Sequence, residues 1–170
     1  KEVNRNQFTA TDRSGLAYKN SYISKLFLGL KNNPYFREKF IDHATAIIGG
    51  AIREERVNTI IDSIATLISH EIVYHRKRWS NGYNLSTYSK NFKNFAKNRR
   101  KVYSSQIASY FSLGEPVDVS IKPTVTAALY VNGVEVPTGV FDGYMHMGRK
   151  YTLSVDVPYG YKFLKWTISS

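Results

Sequence analysis

The stretch LGEPVDVSI at 113–121 decides the fold, because the spacing of apolar residues changes within it. Upstream of Gly114 and Pro116 apolar residues recur every three to four positions, as on one face of a helix. Downstream, Val117, Val119 and Ile121 alternate with polar residues, as on one face of a strand. The fold class expected is therefore α+β: a four-helix segment followed by a small antiparallel β module, with a boundary near residue 115 (units 1–115 and 116–170).

Working back from that boundary, Tyr88, Phe92, Phe95, Ala96, Val102, Tyr103, Ile107 and Phe111 predict a helix capped by Ser86 or Thr87 and ending near Phe111. SNGYNLS at 80–86 is a turn cluster. Val57, Ile60, Ile61, Ile64, Leu67, Ile68 and Ile72 predict one long helix from about Arg53 to Trp79. Asn33 as cap and Pro34 at the first helical position start an earlier helix, which Gly49-Gly50 ends or loosens. Tyr22, Ile23, Leu26, Phe27 and Leu30 place another over 21–31. TDRSG at 11–15 reads as a turn.

Working forward, Val125, Ala127, Leu129 and Val131 lead into Asn132-Gly133, two residues that tolerate positive φ and so favour a tight hairpin. Val134 and Val136 follow. Tyr151, Leu153, Val155 and Val157 form a further strand, Pro158-Tyr159-Gly160 turns, and Tyr161, Phe163 and Trp166 are expected to close the module. A unit of about 55 residues is near the limit for a self-sufficient core, so the halves are expected to pack together.

The chain has 170 residues, no cysteine, and a formal net charge of +11. Disulfides and thiolate zinc sites are excluded, and the compartment stays open. The charge is unevenly placed: residues 1–115 carry 19 Lys and Arg against 9 acids, residues 116–170 carry 5 against 4. No segment reaches the roughly 18 apolar residues of a membrane span. KEVNRNQF at the N-terminus is neither a signal peptide nor a start, so the chain is expected to derive from a longer protein.

His70, Glu71 and His75 look at first like a zinc metalloprotease motif. That motif needs histidines at i and i+4 on one helix face. Here the second stands at i+5, about 140° round the helix. Neither His43 nor His146 has a nucleophile or carboxylate beside it in sequence, and Gly49-Gly50 lacks the lysine and hydroxyl of a phosphate loop. No catalytic, cofactor-binding or metal-binding residue is assigned.

The strongest positive feature is basic. Lys90, Lys93, Lys97, Arg99, Arg100 and Lys101 lie on one predicted helix beside Phe92, Phe95 and Tyr103, with Arg76, Lys77 and Arg78 just upstream. Such a stripe can neutralise phosphate or sulfate, which makes these six residues a candidate polyanion site for glycan or nucleic acid. The same spacing describes a solvated helix face whose aromatics point into a core, and no recognised nucleic-acid fold accompanies it. Tyr144, Tyr159, Tyr161 and Trp166 are candidate sugar-stacking rings, though core and turn packing is the more common use of such rings. Asn84-Leu85-Ser86 matches a glycosylation acceptor, a frequent signal.

Three stretches occur in a recognisable order: LFLGLKNNPYFREKFIDHATAI at 26–47, ERVNTIIDSIATLISHEIVYHRKRW at 55–79, and NFKNFAKNRRKVYSSQIASYFSL at 91–113. Leu26 to Leu30, Asn33, Phe36-Arg37, Arg56 with Ile61-Asp62, Arg78-Trp79, and Phe95, Asn98, Arg99 or Arg100, Val102 and Phe111 resemble the C-terminal part of the CotH-type spore-coat kinase family. The resemblance implies an atypical protein-kinase parent that uses ATP and a divalent metal, located extracellularly or at the cell surface. The catalytic and metal-binding acids it implies lie upstream, and nothing in residues 1–19 matches them. The chain is thus expected to be a non-catalytic C-terminal region that partners the upstream catalytic portion and holds no cofactor itself. "YVNG" at 130–133, Tyr151-x-Leu153-x-Val155 and "P-x-GY-x-F-x-x-W" at 158–166 resemble divergent internalin B-repeat modules, which implies a surface protein or glycan partner.

Overall fold

The computed structural model describes residues 3–6, 8, 21–79, 82 and 84–169; the turn read at 11–15 lies outside them. Among these, five α-helices precede five short strands, an α+β architecture.

Helix α1 (Tyr22–Leu30) starts at Ser21, whose hydroxyl accepts from the Ser24 amide at 3.3 Å. Helix α2 (Pro34–Ala46) starts as its sequence predicts: the Asn33 side chain accepts from the Phe36 amide at 3.1 Å, and Pro34 occupies the first turn. Gly49 and Gly50 widen the chain into a π-helical turn (Ile47–Ala51). The reason is steric: a methyl on Gly49 would overlap the ring of Phe141, and a Cβ on Gly143 would lie 2.6 Å from the Gly49 Cα.

The single helix expected over 53–79 is two. Helix α3 (Glu54–Ile68) ends at Ser69, whose amide and hydroxyl both turn back to the Thr66 carbonyl, the hydroxyl at 2.8 Å. Helix α4 (Glu71–Trp79) then restarts. A serine hydroxyl competes with the helical ladder for a carbonyl, and an apolar period running through the break does not register it. Helix α5 (Leu85–Phe111) is capped by Asn84, which accepts from the Thr87 amide at 3.1 Å, rather than by Ser86 or Thr87. It closes at Ser112, left-handed at φ 54°.

Strand β1 (Pro116–Ile121) pairs antiparallel with β4 (Phe141–His146), Pro116 facing His146 and Ile121 facing Phe141. Strands β2 (Ala128–Val131) and β3 (Val134–Glu135) form the expected hairpin, with Asn132 at φ 51° and Gly133 at φ 75°. Strand β5 (Leu153–Asp156) pairs antiparallel with β2, giving the order β3-β2-β5. The alternation from Val125 becomes a strand only at Ala128. Tyr161, Phe163 and Trp166 lie in no strand and do not close the module.

Both sheets rest on helices. Ala46, Leu129, Val131, Val136 and Phe141 form one buried cluster, joined by Val119, Met145 and Tyr151. Phe8, Ile41, Ile48 and Ile107 form a second, with Tyr103, Tyr110 and Tyr144 against it. Ala46 and Ile48 stand two residues apart at the α2–π junction, so one backbone segment feeds both clusters. Burying a side chain such as Phe141 contributes about 2–3 kcal/mol. No helix among the described residues is long and apolar enough to cross a membrane.

Candidate functional site

Helices α3 and α5 lie side by side and enclose an open groove of about 960 Å³. Most of the side chains along it are polar: Asn58, Asp62 and Thr66 on α3 face Ser89, Lys93 and Lys97 on α5. The Asn58 side-chain oxygen is buried there without a hydrogen-bond partner among the described residues. The apolar stripe of α3 points the other way: Ile60, Ile64 and Leu67 are exposed, Leu67 at 80%.

The six basic residues of α5 divide into three pairs. Lys93 Nζ reaches both Asp62 carboxylate oxygens, at 2.6 and 2.7 Å, and Lys97 Nζ lies 3.3 Å from Glu54. Arg99 points away from α3 and donates to the Val3 and Arg5 carbonyls at 2.5 and 2.7 Å and to Gln106 at 3.2 Å. Arg100 is buried; it donates to the Asp142 carbonyl on β4 and lies 3.7 Å from that residue's carboxylate. Lys90 borders the groove, and Lys90 and Lys101 are exposed and enter no ion pair among the described residues. At 100° per residue, Lys90, Lys93, Lys97 and Lys101 share an arc of about 80°. Arg76, Lys77 and Arg78 fill the last turn of α4, where cations suit the helix dipole.

A second polar cluster joins α5 to the sheets. His146 is only 3% exposed. Its Nε2 lies 3.2 Å from the Ser104 carbonyl and 3.5 Å from the Ser104 hydroxyl. Its Nδ1 lies 3.3 Å from the Tyr151 hydroxyl, which also accepts from the His146 amide at 3.0 Å. A proton on Nε2 donated to the Ser104 carbonyl satisfies this geometry. Burial pushes the His146 pKa down and the Tyr151 pKa up, and the nearby Arg149 guanidinium lowers both further or in part. A serine beside a histidine resembles a nucleophile and its base. Ser104 is fully buried, however, and both ring nitrogens serve structural contacts, so the pair holds α5 to β4. Sequence reading passed over it because Ser104 and His146 are 42 residues apart.

The other candidate residues scatter. His43, His70 and His75 are exposed and separate. Tyr144 packs into the second cluster, with its pKa raised by burial and by the Asp118 carboxylate. Tyr159, Tyr161 and Trp166 stand exposed on the final segment. The Asn84 side chain caps α5.

The acids among the described residues do not fit the divalent metal that the kinase resemblance implies. Glu38 and Asp42 are engaged by Arg149, Glu54 by Lys97 and Asp62 by Lys93, and no group of three or more His, Asp or Glu is placed to hold a metal ion.

No curated protein and no solved structure matches the chain. The family model described as CotH kinase protein matches residues 4–103, which takes in α1 to α4 and α5 as far as Tyr103. With the match covering more than half of its length, the chain belongs to the CotH kinase protein family.

Proposed function

We propose that this chain is a non-catalytic supporting region of an exported, surface-located CotH-type protein. Its helices brace the catalytic portion of the parent chain, and its strands serve as a spacer or contact a surface protein or glycan. The observation that carries this reading is the orientation of α3. That helix turns its polar side to α5 and leaves Ile60, Ile64 and Leu67 to solvent. An amphipathic helix is stabilised by burying its apolar stripe, and here no element among the described residues covers it. Tyr22, Ile23 and Leu26 on α1 are exposed in the same way. Such faces suit burial against another part of a larger kinase-like domain. ATP and divalent metal would then be held by that other part.

Calorimetric titration of the chain with ATP and magnesium, then with ATP and manganese, tests the reading. Absence of saturable heat is expected. Saturable binding would place a nucleotide site in this chain and end the supporting-region reading.

Binding of an anionic glycan or nucleic acid is the second reading, through Lys90, Lys93, Lys97 and Lys101 of the six basic residues, since Arg99 and Arg100 are turned to other partners. The net charge of +11 and the shared face of the four lysines favour it. Its mark is affinity that falls steeply as salt rises.

A further inference from the structure

The segment after β5 leaves its own sheet at a turn of the wrong hand for a hairpin. The Tyr161 amide donates to the Pro158 carbonyl at 3.1 Å, and Gly160 sits at φ 84°. Positive φ at the third turn position without the second is the type II pattern, which splays its two arms. The Asn132-Gly133 turn has positive φ at both positions, and its arms pair directly. Residues 161–169 accordingly pair with no strand among the described residues.

The segment nevertheless has the chemistry of a strand. Tyr161, Phe163, Leu164, Trp166 and Ile168 are all exposed, Thr167 is β-branched, and no acid interrupts them. Beside it, β5 is an edge strand in the order β3-β2-β5, so its outer amides and carbonyls have no strand partner among the described residues. The charges are complementary. Lys162 and Lys165 enter no ion pair among the described residues, while β5 carries Asp156 on its exposed face, in contact with Tyr130.

We propose that residues 161–168 are a donor strand that pairs antiparallel with β5 of a second copy of this chain, the two copies exchanging strands about a two-fold axis. Facing Tyr161 and Phe163 toward the Leu153 and Val155 side of the partner's β5 brings Lys162 out on the Asp156 side, the same side as Leu164, Trp166 and Ile168. The splayed turn prevents the same pairing within one copy and leaves it open between two.

Sedimentation equilibrium of the full chain at roughly 1 to 100 µM, with a Kd on the order of 10 µM for so small an interface, tests this. A concentration-dependent dimer is expected. Phe163→Pro removes a ladder donor from an exposed segment and should abolish the dimer while circular dichroism stays unchanged. Lys162→Asp and Asp156→Lys should each weaken it about tenfold, and the double exchange should restore it. A chain that stays monomeric across the range overturns the proposal. So does a Phe163→Pro variant that dimerises undiminished, which would locate the contact on another face such as that of α3. Failure of the double exchange to restore binding overturns the strand register.

Discussion

Arg149, which follows β4, donates through Nη2 to Asp42 on α2 at 2.6 Å, with both side chains nearly buried. Its other terminal nitrogen reaches Glu38. Asn132, at the β2–β3 turn, donates to the same Asp42 oxygen at 2.7 Å and accepts from the Thr152 amide at 2.7 Å. One carboxylate thus ties the hairpin and the β4–β5 connection to a helix. Burial opposes the charge on Arg149, but its bonds to Asp42 and Glu38 outweigh that and raise its pKa.

Asp42→Ala should therefore cost about 3–5 kcal/mol, because it strands a buried guanidinium. Glu38 is half exposed, so Glu38→Ala should cost about 1 kcal/mol or less. Urea unfolding of both variants measures the difference. Equal losses would show that Asp42 is not the anchor.

Gly49 should tolerate no side chain while Phe141 is present. Gly49→Ala forces a methyl into the ring of Phe141, and overpacking of this kind costs about 1–3 kcal/mol or more. Phe141→Leu alone should also destabilise, since the ring is fully buried. The double variant should be more stable than the sum of the two losses predicts, a coupling that thermal unfolding of all four proteins reads directly. Simple additivity would mean that the two residues do not compete for the same space.

His146 makes stability depend on pH. Its folded pKa lies below its ordinary value of 6.5, first because of burial and then because of the Arg149 charge, against the opposing pull of the Ser104 carbonyl. Between the two values the unfolded chain holds a proton that the folded chain does not. The stability that neutral His146 contributes is thus fully present above 6.5 and lost as the pH falls below it, down to the folded value. The groups facing it among the described residues are Ser104, Tyr151 and Arg149, and none of these is a carboxylate that would reverse the sign. Urea midpoints at stepped pH should fall across that window in the native chain. His146→Gln should flatten the slope, and an unchanged slope would assign it to other groups.

Local chemistry was legible in the sequence, and contacts across the chain were not. Asn33-Pro34 and Asn132-Gly133 act through their own backbone, so they could be read directly. Ser69 breaks a helix with one hydroxyl while the apolar period continues on both sides, so α3 and α4 read as one. Strand β4 was missed because FDGYMH owes its place to partners far away: β1, and the π turn behind Gly143. The basic stripe reads as uniform for the same reason. Arg99 and Arg100 look like the lysines beside them, yet one is held by carbonyls 94 and 96 residues away and the other by a carbonyl 42 residues away.

That division of the stripe yields the sharpest test of it. Arg100→Gln should destabilise by about 2–4 kcal/mol, because a buried cation bridging α5 and β4 is lost and Asp142 loses its donor. Lys93→Gln removes a partly exposed pair with Asp62 and should cost at most about 1 kcal/mol. Lys90→Gln with Lys101→Gln should leave stability unchanged, since both are exposed and neither enters an ion pair among the described residues. If the stripe binds a polyanion, this same double variant should weaken heparin binding and lower the salt slope by about two charges. If heparin affinity is absent or insensitive to both lysines, the stripe serves packing between α3, α5 and β4, and the charge excess of the helices serves solubility.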